Sequence, residues 1–307
     1  MRILFTGTSS FTGMWFVQRL SELGHEVVAT LQSKESDYSE LRKERIEKLK
    51  KQCNLRFDCP YGSDAFLKLV KTERFSHFCH HAADVTNYKS PDFDPISALK
   101  NNAGPLKDIL RLLSENGCNR VLLTGSVFEQ GEGEGSDSLK AVSPYGLSKG
   151  LTSDLFRYYC SLFPIHLGKF VIPNPFGPYE EFRFTSFLIR EWKANKQAHV
   201  SMPEYVRDNV PVSLLANAYE SFLQSLPETA GFTKINPSYY VGSQGDFTTL
   251  FANEMRSRLN LPCEYSLAKQ TEFSEPKERF NVDRLDPKKL QWNEKESWDQ
   301  LAAYYAR

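Results

Sequence analysis

A tyrosine and a lysine stand four residues apart at Tyr145 and Lys149, in the run PYGLSK. Four residues is one helical turn, so on a helix the two side chains share a face. An ammonium beside a phenol favours the phenolate, which brings a tyrosine nearer to working pH as an acid or base. Ser126 closes an apolar run, VLLTGS, that reads as a buried strand. A strand-end hydroxyl, a phenol and an ammonium can together move a proton. The spacing alone is common, since a packed tyrosine next to a solvated lysine produces it too. The elements that would position these groups must decide.

The chain opens with a short apolar strand, Arg2 to Thr6, and the turn Gly7-Thr8-Ser9-Ser10-Phe11-Thr12-Gly13. A helical pattern follows (Trp15, Phe16, Leu20, Leu23) and Gly24 ends it. Strand, glycine turn and helix make the geometry in which backbone N–H groups meet a pyrophosphate. Ser10 takes the place of a middle glycine and is small enough to keep the backbone approachable. Glu26 to Leu31 reads as the second strand, followed by Gln32, Ser33 and Lys34, with no acid before Glu35. NAD sites commonly end this strand in an acid that holds the ribose. Polar and cationic residues suit a 2′-phosphate better, so the residues favour NADP, with NAD as the alternative.

Asn54 to Phe57 reads as a third strand, ending at Asp58; Phe75 to His81 reads as a fourth, running into Ala82 and Ala83. His80 and His81 are adjacent and point to opposite faces of a strand, so no metal pair is expected. A helix is expected over 35–51, solvated and of mixed charge; others over 63–72 and 94–115, the last carrying Asn101. Arg120 to Thr124 is a fifth strand. Strands alternating with helices predict an α/β fold, a doubly wound parallel sheet with ligands at the strands' carboxyl ends. Thr6, Asp58, Ala82 and Ser126 all fall at such ends. The loop Gly131 to Ser138 is rich in glycine and reads as flexible, a lid or a plain connection.

The chain has 307 residues, with 38 basic and 38 acidic side chains, so charge gives no reason to expect nucleic acid or an anionic membrane. No apolar stretch is long enough to span a membrane. Six cysteines without CxxC spacing, and no signal-peptide pattern at MRILFTGTSS, lead to a cytoplasmic expectation. Past residue 173 the strand–helix alternation loosens, and Leu290 to Tyr305 reads as a packing helix and its lead-in, with Trp292, Trp298, Leu301 and Tyr304 in the core.

Taken together, GTSSFTG, Asp58, HHAA at 80–83, NNAG at 101–104, TGS at 124–126, YGLSK, NPFGPY at 174–179 and RDNVPV at 207–212 resemble the extended short-chain dehydrogenase/reductase family of nucleotide-sugar epimerases, dehydratases and reductases. The resemblance implies a Rossmann-type dinucleotide domain over 1–172 and a smaller, mixed substrate portion over 173–307. It implies Tyr145 as acid/base, Lys149 on the nicotinamide ribose, and Ser126 on the reacting oxygen. Gly7, Ser9, Ser10, Phe11, Thr12, Gly13, Thr30, Gln32, Ser33, Asp58, Cys59, His81, Ala82, Ala83, Asn101 and Thr124 would line the cofactor together with Tyr145 and Lys149. Ser126, Val127, Phe128, Asn174 and Arg207 would meet a nucleotide sugar, the last two at its diphosphate. A homodimer through the helices at 94–115 and 144–162 is implied as well.

Departures from the family pattern separate the activities. Val127 and Phe128 follow Ser126 where dehydratases carry acids, and Glu129 comes one position late, which argues against elimination of water. Ser213 and Leu214 replace an acid pair after the RD motif, and no arginine lies between Leu267 and Pro276; Lys277 and Arg279 are the nearest cations. The expectation is NADPH-dependent reduction of a 4-keto nucleotide sugar. The alternative is an NAD-dependent 4-epimerase, and a non-catalytic NADP sensor is the rival from another class.

Overall fold

The computed structural model describes residues 1–306. They form two compact units, each discontinuous in sequence. The first takes residues 1–132, 140–172 and 219–235; the second takes 133–139, 173–218 and 236 onward. No helix among the described residues is long and apolar enough to cross a membrane.

The first unit is built on a seven-stranded sheet. Its first five strands are β1 (Arg2–Thr6), β2 (Glu26–Thr30), β3 (Asn54–Arg56), β4 (His77–His80) and β5 (Arg120–Ser126). His166–Ile172 lies beside β5 and Gly231–Ile235 forms the far edge; on the other side the order continues β4, β1, β2, β3. Every pairing is parallel. Strand order reverses between β1 and β4, the switch point where such sheets bind ligands. The helices are α1 (Phe11–Glu22), α2 (Glu40–Leu49), α3 (Asp64–Thr72), α4 (Pro95–Ala103), α5 (Leu106–Glu115) and α6 (Pro144–Cys160). Helices on both faces explain why β1 and β5 are buried along nearly their whole length rather than at alternate residues. In α5, Leu106, Ile109, Leu110 and Leu113 make one buried stripe at helical spacing.

Three local features differ from the sequence expectation. The helix over 94–115 is two helices, because Gly104 takes φ +41 and Pro105 lacks the N–H that would continue the ladder. Residues 35–51 begin with a 3-10 turn at Glu35–Asp37, and α2 is not solvated all round, since Arg45, Ile46 and Leu49 are buried. Gly231–Ile235 gives no strand signal in the sequence. It is an edge strand whose exposure alternates only weakly, and its order comes from pairing with His166–Ile172.

The second unit holds a three-stranded sheet in which Val206–Pro211 lies between Asn174–Phe176 and Tyr240–Ser243. Phe176, Trp192, Phe247, Phe251, Trp298 and Leu301 form its core. The C-terminal helix is Glu294–Tyr305, capped by Asn293. Trp298 and Leu301 are buried as the sequence implies, while Trp292 donates its ring N–H to Ser213 Oγ at 2.9 Å. Within the glycine-rich run 131–138, Glu134–Gly135 pairs antiparallel with Arg279–Phe280. A Cβ on Gly135 would lie 2.3 Å from the Glu278 carbonyl oxygen, so this strand approach requires glycine.

Glu180, in the same unit, is buried and accepts hydrogen bonds from Thr185 and Tyr305. Loss of hydration pushes its carboxyl from an ordinary 4.5 up to about 7. The unfolded chain releases that proton near 4.5 and the folded chain near 7, so folded protein holds more protons between these values. Stability therefore falls as pH rises through that window and stays lower above it. Burial pushes Asp208 up to about 6, with the same sign. Glu180→Gln is expected to stabilise the protein at pH 8 by up to about 3 kcal/mol, with little effect near pH 4.5. Urea midpoints at the two pH values check it, and an equal change at both would contradict this account.

Candidate functional site

The turn after β1 is shaped by close approach. Gly7 has φ +80, and a Cβ there would lie 2.7 Å from Ala82 N and 2.8 Å from the His81 carbonyl carbon. Thr6 Oγ1 accepts the N–H groups of His81 and Ala82, both at 3.1 Å, which holds the end of β4 against the turn. Ser10 caps α1: its hydroxyl accepts from Gly13 N–H at 3.1 Å and donates to the Gly7 carbonyl at 2.8 Å. The serine that replaces a glycine in the pattern is thus folded into the cap. His81 commits both ring nitrogens to hydroxyls, Nε2 to Ser10 at 3.1 Å and Thr12 at 3.0 Å, Nδ1 to Thr124 at 2.9 Å. Burial first, and Lys149 second, lower its pKa and keep the ring neutral. The imidazole therefore joins the glycine turn to β5. The Thr8 hydroxyl is buried without a protein partner.

At the ends of β2 and β3, Thr30 is buried and its hydroxyl reaches the Phe5 carbonyl at 3.4 Å. Leu31 stands where an acid would hold a ribose; it is buried against Tyr38 and Ile46. Gln32 is exposed, and Ser33 N–H donates to the Tyr38 hydroxyl at 3.1 Å. Asp58 is exposed at φ +51; its N–H donates to the Ser33 carbonyl at 3.0 Å, and Cys59 N–H to that of Leu31 at 2.9 Å. Sequence reasoning missed Arg45, which is buried, donates to the Ser9 carbonyl at 3.1 Å and lies 6.0 Å from the Phe11 ring centre. The signal was there in Ile46 and Leu49, which mark one apolar side of a helix otherwise dominated by charge. After β4, Ala82 and Ala83 are half-buried. Asn101 is exposed and donates to Asp84 at 2.8 Å, while Asn102 is buried, with its carbonyl 3.0 Å from His80 Nε2.

Ser126 ends β5 opposite Ile172, and its hydroxyl accepts from Phe128 N–H at 3.2 Å. Val127 is buried and Phe128 half-buried. Ser143 caps α6, and Gly146 lets that helix sit directly on residue 128, since a Cβ there would fall 2.2 Å from the Phe128 carbonyl oxygen. Tyr145 is half-buried, its ring 5.3 Å from that of Tyr88 and 6.1 Å from that of Phe93. Lys149 is buried and donates from Nζ to the Thr124 carbonyl at 2.6 Å. Burial pulls its pKa from 10.5 down to about 8; Glu129 opposes the shift and Lys169 adds to it. Below about pH 8 the side chain is an ammonium held at the root of the β5 end. The first unit thus brings Ser126, Tyr145 and Lys149 to one strand end and one helix, beside the glycine turn.

In the second unit, Asn174 begins the strand Asn174–Phe176, and its amide nitrogen is buried without a protein partner. Arg207 is buried on Val206–Pro211 and stacks 4.5 Å over Tyr205. Its Nη1 donates to the carbonyls of Val206, Pro276 and Lys277, and its Nη2 to Glu275 at 3.1 Å. Among the described residues no group of three or more His, Cys, Asp or Glu side chains could hold a metal.

A glycine turn at the switch point of a parallel sheet, with serine, tyrosine and lysine beside it, defines a dinucleotide-dependent enzyme of the short-chain dehydrogenase/reductase type. The chain belongs to the NAD dependent epimerase/dehydratase family, whose model matches residues 3–226. No curated protein matches it significantly in sequence. Solved structures similar to it include the UDP-glucose 4-epimerase of Thermotoga maritima with UDP-glucose, at 17% identity and TM-score 0.75 over 99% of this chain and 98% of that one. The UDP-glucuronic acid 4-epimerase of Bacillus cereus, with UDP-glucuronic acid and NAD, matches at 17% identity and TM-score 0.73 over 99% of both chains. The UDP-N-acetylglucosamine 4-epimerase of Methanobrevibacter ruminantium, with UDP-N-acetylmuramic acid, matches at 14% identity and TM-score 0.74 over 99% and 97%. At such identities the likeness carries the fold.

Proposed function

We propose that this enzyme is a nucleotide-sugar 4-epimerase that works with NAD and uses Ser126, Tyr145 and Lys149. The observation that carries the reading is the placement of those three side chains on the end of β5 and the first turns of α6, in the unit that also holds the glycine turn. The turn itself fits a dinucleotide: Gly7 and Gly13 leave no room for a Cβ, and α1 points its N-terminus at the same place. When bound, NAD supplies the acceptor, and then the donor, of a hydride. Tyr145 would take the proton of the sugar's 4-hydroxyl as C4 gives up its hydride, and return it to the ketone oxygen when the hydride comes back on the opposite face of C4. Lys149 holds the positive charge that favours the deprotonated phenol, and Ser126 hydrogen-bonds the reacting oxygen. Asn174, with its buried unpartnered amide nitrogen, and Arg207 are assigned to the nucleotide sugar's diphosphate. For Arg207 this requires the diphosphate to displace Glu275 from Nη2.

The family and its solved relatives with NAD shift the balance away from NADPH-linked reduction and towards the epimerase. Reduction of a 4-keto sugar with NADPH stays as the second reading on one observation: β2 leads into Leu31 instead of an acid, with the Arg45 guanidinium beside Ser9. Dehydration is disfavoured because Glu129, the acid nearest Ser126, is wholly buried in an ion pair with Lys169. A homodimer through α4, α5 and α6 is proposed with the function, supported by exposed Ile96, Leu147 and Tyr158 on α4 and α6, and sedimentation would report it. A cytoplasmic location is proposed on the free cysteines. The deciding experiment is to denature purified protein, identify released dinucleotide by mass, and titrate the native protein with NADH and NADPH. Retained NAD and conversion of UDP-glucose support the epimerase. An empty site that prefers NADPH supports the reductase.

A further inference from the structure

Glu129 takes no part in the chemistry above, yet it is wholly buried. Its Oε1 accepts the Ser126 N–H at 2.7 Å and its Oε2 receives Lys169 Nζ at 2.6 Å. Lys169 rises from His166–Ile172, next to β5, and also donates to Glu132 at 2.8 Å; Glu132 in turn pairs with Lys234 at 2.8 Å. Gly125 makes the room: a Cβ there would lie 2.8 Å from Lys169 Cε and 3.0 Å from Glu129 Oε1. Desolvating two charges is costly, and apolar residues of similar volume often stabilise a fold as well or better. Stability is thus a weak reason for an ion pair at this place.

We propose that Glu129 is a positioning residue of the reaction: it fixes the backbone of Ser126 and, with Lys169 as counter-ion, sets the charge balance around Lys149. The proposal rests on the roles assigned to Ser126 and Lys149 above. Lys149, on α6, is faced by Glu129 from the turn after β5, by Lys169 from the adjacent strand and by His80 and His81 from the end of β4, and Tyr145 lies one turn back on α6. Burial keeps both histidines neutral, so the two charges that bear on Lys149 are a carboxylate that favours the ammonium and an ammonium that opposes it. Glu132 and Lys234 balance the far side of Lys169. Serine and lysine are then held by one device: Lys149 by the Thr124 carbonyl, Ser126 by Glu129, with glycine between them on the strand.

Glu129→Gln and Glu132→Gln test it as a pair, because both remove one charge from the same chain and only the first removes it from the Ser126 side. The glutamine oxygen can still accept the Ser126 N–H, which favours folding of the first variant. Protein labelled with ¹³C at the lysine ε-carbons is titrated by NMR, with Lys149→Arg used to assign Lys149. Turnover of UDP-glucose with excess NAD is followed over the same pH range. Glu129→Gln is expected to lower the Lys149 midpoint by about one unit, move the alkaline limb of kcat with it, and leave KM within about twofold. Glu132→Gln is expected to hold that midpoint within about 0.3 unit, although its melting temperature falls. Equal displacement by both variants, or none by Glu129→Gln, overturns the proposal. Absence of UDP-glucose turnover in the unaltered enzyme would count against the function reading, while the lysine titration still decides the role of Glu129.

Discussion

Tyr145→Phe lowers kcat by about 10²- to 10⁴-fold, the usual contribution of a positioned acid/base, and leaves the fold intact. The ring lies between Tyr88 and Phe93, contacts that phenylalanine reproduces. Only the hydroxyl is lost, so the change in stability should stay below about 1.5 kcal/mol. Lys149 keeps its bond to the Thr124 carbonyl, so cofactor affinity should change little. Steady-state kinetics with UDP-glucose and a thermal melt separate these effects. A residual rate within tenfold of the unaltered enzyme would falsify the assignment of Tyr145 as acid/base. The pH profile adds a sign. Lys149 carries its charge below about 8, so the unaltered enzyme loses rate as pH rises through that value. In Tyr145→Phe that alkaline loss should vanish from the residual rate, because no phenol remains for the ammonium to assist.

Much of the sheet was legible because β1, β2 and β5 carry apolar runs and glycines fall at the turns. The alternation of β1 to β5 with helices follows from short apolar runs separated by stretches of helical period, and the four-residue spacing of Tyr145 and Lys149 follows from the helical turn. What lay hidden depends on tertiary contacts. Nothing in GFTKI announces that residues 231–235 return to the first sheet, since an edge strand with a lysine on it resembles a loop. Arg45 and Lys169 look like solvated cations until their partners, the Ser9 carbonyl and Glu129, are known. In the sequence Glu129 reads as an acid displaced by one position; in the structure it is buried and accepts the Ser126 N–H. Gly104–Pro105 is a local break signal, as Ile46 and Leu49 are a local burial signal; NNAG reads as helix until the proline is given its weight. In the run GEGEG, Gly135 also serves a strand pairing with Arg279–Phe280, which the glycine content alone does not reveal.

Gly13→Ala should all but abolish dinucleotide binding, and comparison with Gly150→Ala shows why the loss is specific. A Cβ on Gly13 would stand 2.2 Å from the Gly7 carbonyl oxygen, 2.6 Å from Ser10 Oγ and 3.0 Å from His81 Cδ2. The first of these is backbone and cannot rotate away, so α1 must move off the turn. That displacement breaks the Ser10 cap, disturbs His81 and its link to Thr124, and swings the helix N-terminus away from the place a pyrophosphate would occupy. Overpacking of this kind costs about 1–3 kcal/mol in stability, and loss of aligned N–H donors should weaken cofactor binding by roughly 100-fold or more. At Gly150 the nearest atoms to a new Cβ are 3.9 Å away, and the residue lies inside α6. Alanine there relieves a glycine in a helix and should stabilise by up to about 1 kcal/mol. NADH fluorescence titrations and thermal melts on both variants read the contrast. If Gly13→Ala binds NADH as tightly as Gly150→Ala does, the dinucleotide does not use the β1 turn, and the cofactor assignment built on Gly7 and Gly13 fails with it.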